Sequence, residues 1–365
     1  MTAPAAHPLP DPLPGPAAAG AGPGDWIAVH VFYAAGSRPL LLECVRPLVR
    51  ALAEDGLLAG FFFINYWLHG PHLRLRLRPS SPAAAAEVRA RTEEAVAAFL
   101  RARPALYAVE GGFFAELYEN LFRLEFAPEE REALLGPDGR MALRPNNSYS
   151  FEPYEPEFGK YGGPAGVALA EWHFRHSSEL VIETARSANL HLRTVLLGTA
   201  AQLMMVMAAT FLPADDEELV RFLERYHAFW DQAFADTDYT ARRGYDRAYE
   251  AMGADLGRRF GQVRAAVAGR ADERLPPMLR GWAGHCRDLV SRAAELASAG
   301  ALDFDAHRGG RLHVTDPAQA LPMLLFPYLH MTNNRLSVTV RDEAFLSYVL
   351  ARSLREAAAP ATGAR

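Results

Sequence analysis

The sequence predicts an α+β fold: a β-rich N-terminal part, with a mixed or antiparallel sheet, packed on a mostly helical C-terminal half. Three observations lead there. Alternating or continuous β-prone runs, DWIAVHVFY (25–33), FFFINY (61–66) and HLRLRLR (72–78), crowd into the first 80 residues. Apolar residues from Pro164 onward recur at helical spacing. The order is strands first and helices later, which favours segregated layers over a βαβ alternation.

Taken in order, 25–33 reads as a strand and 38–54 as a helix. Residues 61–66 form a buried strand, and HGP turns the chain into the strand 72–78. An Ala-rich helix covers 83–101. Between 104 and 158 short strands and loops are expected (ALYAVEGG, FRLEF, LRPNNSYSFEPYEPEF), with turns at 136–139 and 144–147. Helices follow over about 164–186, 189–212, 215–235, 240–268, 276–299, 317–330 and 342–357, interrupted by a small strand pair within 303–316. His330 is expected to end its helix, with Asn333, Asn334 and Arg335 as the polar stop. Residues 1–25 read as a disordered leader and 359–365 as a disordered tail. Residues 26–358 read as one unit, β-rich over 26–163 and helical over 164–358.

The chain of 365 residues carries 38 Lys and Arg against 43 Asp and Glu. The resulting net charge of −5 gives no global attraction to nucleic acid or anionic lipid. Its two cysteines, Cys44 and Cys286, lack metal-ligand spacing and suit a reduced cytoplasm. Zinc, nucleotide and serine-nucleophile motifs are missing, so neither a metal nor a cofactor is expected. Residues 195–212 hold no charge but carry Gln202 and Thr199 amid small residues and Met. A core helix is expected there, and no membrane partner.

Three stretches carry candidate chemistry. In HGPHLRLRLR (69–78), side chains two apart share a strand face, so His72, Arg74, Arg76 and Arg78 project together and the leucines oppose them. Neighbouring cations there lie roughly 6–7 Å apart, close enough to call for an opposing anion unless the face is merely solvated. FEPYEPEFGKYGGPAG (151–166) gathers Glu155, Glu157 and Lys160 ahead of a Gly-Gly-Pro helix start, which leaves backbone N–H groups free. PYLHMTNNRLSVTV (327–340) holds His330, the residue type best suited to move protons near neutral pH. A histidine so placed also serves as a cap or core residue.

In this order the stretches GFFFINYWLHGPHLRLRLR, YEPEFGKYGG with AEWHFRHSS, and LHMTNNRL resemble the C-terminal elimination domain of class I lanthipeptide dehydratases. That domain also occurs as a free-standing thiopeptide biosynthesis protein. The likeness spans 26 to about 355. It implies elimination of glutamate from glutamylated Ser or Thr of a ribosomal precursor peptide, leaving dehydroalanine or dehydrobutyrine. It implies Arg74, Arg76 and His330 as catalytic groups, with Lys160 on the departing carboxylate. Glu157, His72, Arg78 and Asn334 are expected to contact or support the substrate. Where the family has arginine this sequence has Lys160, which keeps the charge without the planar two-point grip. A separate tRNA-dependent glutamylating protein is the implied partner, with no direct nucleic-acid contact by this chain. Two other activities are open: the [4+2] cycloaddition that builds the thiopeptide pyridine, performed on the same scaffold, and non-catalytic binding of a leader peptide.

Overall fold

The computed structural model describes residues 26–106, 115–126, 128–136, 139–213, 216–234, 243–306 and 309–358. The expected leader and tail lie outside these residues, as does most of ALYAVEGG.

The α+β prediction holds. Strands β1 (Ile27–Phe32), β2 (Leu58–Tyr66), β3 (His72–Pro79) and β4 (Ser148–Glu152) form one sheet in the order β2-β3-β1-β4. Every pairing is antiparallel. Register places Leu75 between Val29 and Phe63, and Leu77 between Ile27 and Phe61, so one face is apolar but for Asn65 beside Leu73 at its edge. Helices α1 (Ser37–Leu40) and α2 (Arg46–Glu54), joined by a π-helical turn at Leu41–Val45, and α3 (Ala85–Ala102) cover that face. They do so through Leu48, Val49, Leu52, Val88, Val96 and Phe99, spaced as one helical stripe each.

FRLEF was expected as a strand but lies in α4 (Ala115–Glu125), with its last Phe just beyond. Its alternation is deceptive: the buried residues are the adjacent Leu121 and Phe122. Phe126, four residues after Phe122, meets it ring to ring at 5.6 Å, which is a helical relationship. A short α5 (Pro128–Glu132) precedes β4.

After α6 (Phe158–Tyr161) the chain is helical: α7 (Gly163–Ser187), α8 (Arg193–Phe211), α9 (Asp216–Ala233), α10 (Arg243–Ala268) and α11 (Pro277–Ser298). The hairpin β5 (Leu302–Asp305) and β6 (Arg311–Val314) falls where a strand pair was expected, before α12 (Pro317–Leu336) and α13 (Val340–Ala358). Helix α8, without charge after Arg193, is long and apolar enough to cross a membrane, yet 61% of its apolar window is buried, and it packs on α10, α11, α12 and α13. Its role here is that of a core helix.

The helix carrying His330 does not stop there. It runs on to Leu336 and closes on Ser337 in the left-handed conformation. The supposed polar stop is interior packing. Arg335 is buried over the Phe174 ring at 4.3 Å, and Asn334 reaches the open edge of β2. At that edge Ser178 of α7 accepts the N–H of Phe63, and Asn334 accepts the N–H of Asn65. Two helices thus complete the strand's hydrogen bonding and fix α7 and α12 against the sheet.

Candidate active site

The second sheet face carries the polar residues. Register aligns Arg76 with Phe62 and Ala28, Arg74 with Ile64 and His30, and His72 with Tyr66 and Phe32. This is not a solvated face: His72 and Arg76 are buried, and Arg74 is half-buried.

His72 and Arg74 have a defined proton arrangement. Nδ1 of His72 lies 2.9 Å from the Gly70 carbonyl and must donate to it. Nε2 is therefore an acceptor, and Arg74 Nε donates to it at 3.2 Å. Burial first, then the neighbouring arginines, lowers the His72 pKa to about 3, so the ring is neutral. The Arg74 guanidinium carbon lies over Tyr66, 3.4 Å from the ring centroid. Glu125 of α4 holds Tyr66 and Trp67 in place, accepting the phenol at 2.7 Å and the indole N–H at 2.9 Å.

Arg76 is only 4% exposed, and its Nε and Nη1 find no acceptor among the described residues. Burial lowers its pKa to about 9, with Arg74 adding to the effect. The Tyr154 ring stands 5.6 Å away as a wall. His30, on the adjacent strand, also has a buried Nε2 without a partner; burial, then Arg76 and Arg74, drives its pKa to about 2. Buried unpaired N–H groups beside a cation favour an anion. Arg78 is half-buried at the end of the row; nearby, burial raises the pKa of Glu171, an effect that a Tyr154 hydrogen bond and the Arg78 charge only partly offset.

Glu157 precedes α6, and its carboxylate takes both contacts from Lys160 Nζ, at 3.1 and 3.3 Å. The Glu157 charge is felt at Tyr66, Arg74, Arg76 and Tyr161, so it lies within electrostatic reach of the cationic row. The turn after Lys160 requires glycine. Gly162 has φ +86°, and an added Cβ would lie 3.0 Å from the Phe304 ring of the β5–β6 hairpin.

His330 lies on α12, and its contacts belong to the helical half: Nδ1 to the Glu343 carboxylate at 3.0 and 3.3 Å, and the Trp230 ring at 5.0 Å. Those contacts do not include the strand arginines. Asn334, one turn later, binds Asn65 through both amide atoms, at 2.9 and 2.7 Å. Asn65 directly precedes Tyr66, the ring under Arg74, so the clasp ties α12 to the β2 edge next to that ring. The clasp uses both the oxygen and the nitrogen of the Asn334 amide.

The structure sets His72, Arg74 and Arg76 in one row and pairs Glu157 with Lys160 within electrostatic reach of it, while His330 contacts Glu343 and Trp230 and not that row. Sequence reasoning missed His30, Tyr66, Tyr154 and Glu343. His30 was detectable, because Ala28, His30 and Phe32 alternate in step with the arginine face. Glu343 gave no signal beyond an acid in a first helical turn.

Nothing among curated protein sequences matches the chain. Among solved structures it resembles TbtD, a pyridine synthase from thiomuracin biosynthesis. Identity is 23%, 91% of this chain and 98% of TbtD are covered, and the TM-score is 0.69. It also resembles TsrL, with 18% identity, coverage of 91% and 94%, and a TM-score of 0.64. At these identities the likeness is one of fold. The family model described as the C-terminal part of lantibiotic biosynthesis dehydratases matches residues 26–354, and the chain belongs to that family of enzyme domains for ribosomal-peptide modification.

Proposed function

We propose that the protein eliminates glutamate from glutamylated Ser or Thr of a ribosomally made precursor peptide, leaving dehydroalanine or dehydrobutyrine. The observation that carries this reading is Arg76, a buried guanidinium whose Nε and Nη1 lack acceptors among the described residues, set beside Arg74 and under the field of Glu157. Elimination creates negative charge twice, on the carbonyl oxygen as the Cα proton leaves and on the departing glutamate. Preorganised cations in a water-poor setting stabilise both. In this reading Arg76 and Arg74 take the enolate-like oxygen, Lys160 steers the leaving carboxylate, Glu157 orients Lys160, and His330 removes the Cα proton. His72 holds Arg74 in place, Arg78 serves as an outer contact for the peptide, and Asn334 fixes the helix of His330 to the sheet. A separate tRNA-dependent protein supplies the glutamyl ester. The free, buried Cys44 and Cys286 suit a reducing cytoplasm.

The test is mass spectrometry of a glutamylated peptide incubated with the purified protein: a loss of glutamate is expected, and its absence sinks the reading. A second reading is the [4+2] cycloaddition between two dehydroalanines, favoured by the shared fold with a pyridine synthase. A fully dehydrated peptide run in parallel separates the two, since ring formation with release of the leader peptide is expected only for the cycloaddition.

A further inference from the structure

Glu343 of α13 is buried completely, yet no lysine or arginine is found on it among the described residues. Its two oxygens face two neutral-capable partners: the Tyr226 hydroxyl donates to Oε2, and His330 Nδ1 lies 3.0 Å from Oε1. A buried carboxylate is costly unless its lone pairs are used, and here a histidine supplies the use. Because the carboxylate is an acceptor only, Nδ1 must carry the proton, which leaves the lone pair on Nε2. Nε2 makes no hydrogen bond among the described residues, and the imidazole is 25% exposed. Trp230 packs on its face at 5.0 Å and restricts its rotation.

We propose that Glu343 is a positioning residue that fixes His330 as the Nδ1–H tautomer and holds Nε2 ready to accept the substrate Cα proton. The inference rests on the elimination reading for its chemistry. Nε2 takes the Cα proton, and the C–H electron pair becomes the Cα=Cβ bond through the enolate. The Cβ–O bond breaks, and glutamate leaves as a carboxylate with that bond's electrons. The imidazolium, stabilised meanwhile by Glu343, passes its proton to water. The same pairing of carboxylate and imidazole orients histidines in many proton-transfer sites.

Two measurements test it. Long-range ¹H–¹⁵N spectra of the ¹⁵N-histidine-labelled protein, with the His330 signal assigned through His330→Gln, should show His330 protonated on Nδ1; protonation on Nε2 alone overturns the proposal whatever the reaction is. In glutamate release, Glu343→Gln should lower kcat about 100-fold with KM within twofold and the melting temperature retained, and Glu343→Asp should recover part of the rate. If His330→Gln is inactive while Glu343→Gln keeps its rate within threefold, the positioning role is wrong and the elimination reading stands. If His330→Gln eliminates normally, the reading of His330 as base falls, and the role of Glu343 with it.

Discussion

Arg74 is held by two neutral rings at once: its guanidinium carbon lies 3.4 Å from the Tyr66 ring centroid, and its Nε donates to His72 Nε2 at 3.2 Å. Stacking consumes the face of the cation and the His72 bond consumes one edge, so the remaining N–H groups point in one set direction. Lysine cannot reproduce this, because an ammonium group has neither a plane to stack nor a fixed fork. Arg74→Lys should therefore lower the single-turnover rate of glutamate release about 100-fold, the usual scale for losing one preorganised donor. The melting temperature should change little. A rate within threefold of the parent would show that the orientation of Arg74 is irrelevant.

Lys160 offers the opposite substitution. It already meets both Glu157 oxygens from a single nitrogen, in an exposed pair that contributes little to stability. Lys160→Arg restores the planar fork to this position. The expected result is a KM for the glutamylated peptide lowered several-fold, because an arginine can engage Glu157 and a substrate carboxylate together. The expected change in stability is under about 0.5 kcal/mol. KM measured at low and high salt checks this, since a charge contact should weaken as salt rises.

What the sequence disclosed and what it hid divide along physical lines. The arginine face was legible because the strand period is two and every second residue from 72 to 78 is His or Arg; no tertiary information is needed to see that they share a face. The helical half was legible from apolar spacing. FRLEF was misread because alternation over five residues cannot distinguish a strand from a helix whose buried stripe is Leu121, Phe122 and Phe126. The end of α12 was misread because Asn333, Asn334 and Arg335 resemble a polar stop. The partners of Asn334 and Arg335, namely Asn65, Ser178 and Phe174, lie 150 or more residues away in sequence. Glu343 was invisible for the same reason: an acid in a first helical turn has a sufficient local explanation in the helix dipole.

The buried histidines set an acid limit on the fold. Burial holds His72 near pKa 3 and His176 near 4, and holds His173 and His285 well below the ordinary value. In the unfolded chain each titrates near 6.5, so below that pH the unfolded state binds more protons than the folded one. Stability from these groups is complete above pH 6.5 and is lost as pH falls toward 4 and 3. A single such site costs about 1.4 kcal/mol per pH unit across its window. The melting temperature should be nearly flat from pH 7 to 8 and fall steeply below 6. His176→Gln should reduce the slope between pH 6 and 4, and an unchanged slope would remove His176 from the account. In the folded protein His72 stays neutral until the pH approaches 3, so its hydrogen bond from Arg74 should persist across this range and be lost only at its acid end.

Arg76 separates function from stability most sharply. A buried guanidinium with two N–H groups unpaired costs the folded protein free energy, and burial already lowers its pKa to about 9. If that cost is retained for an anion, removing the charge should help the fold and harm the chemistry. Methionine has similar length and no polar atoms, so Arg76→Met should leave stability unchanged or raise it by about 1–3 kcal/mol, as apolar replacement of buried charges often does. Glutamate release should drop at least about 100-fold. Denaturant unfolding and a single-turnover assay on the same sample give both values. A variant that loses stability and activity together would mean that Arg76 is a structural cation, and the anion site would have to lie elsewhere on the sheet.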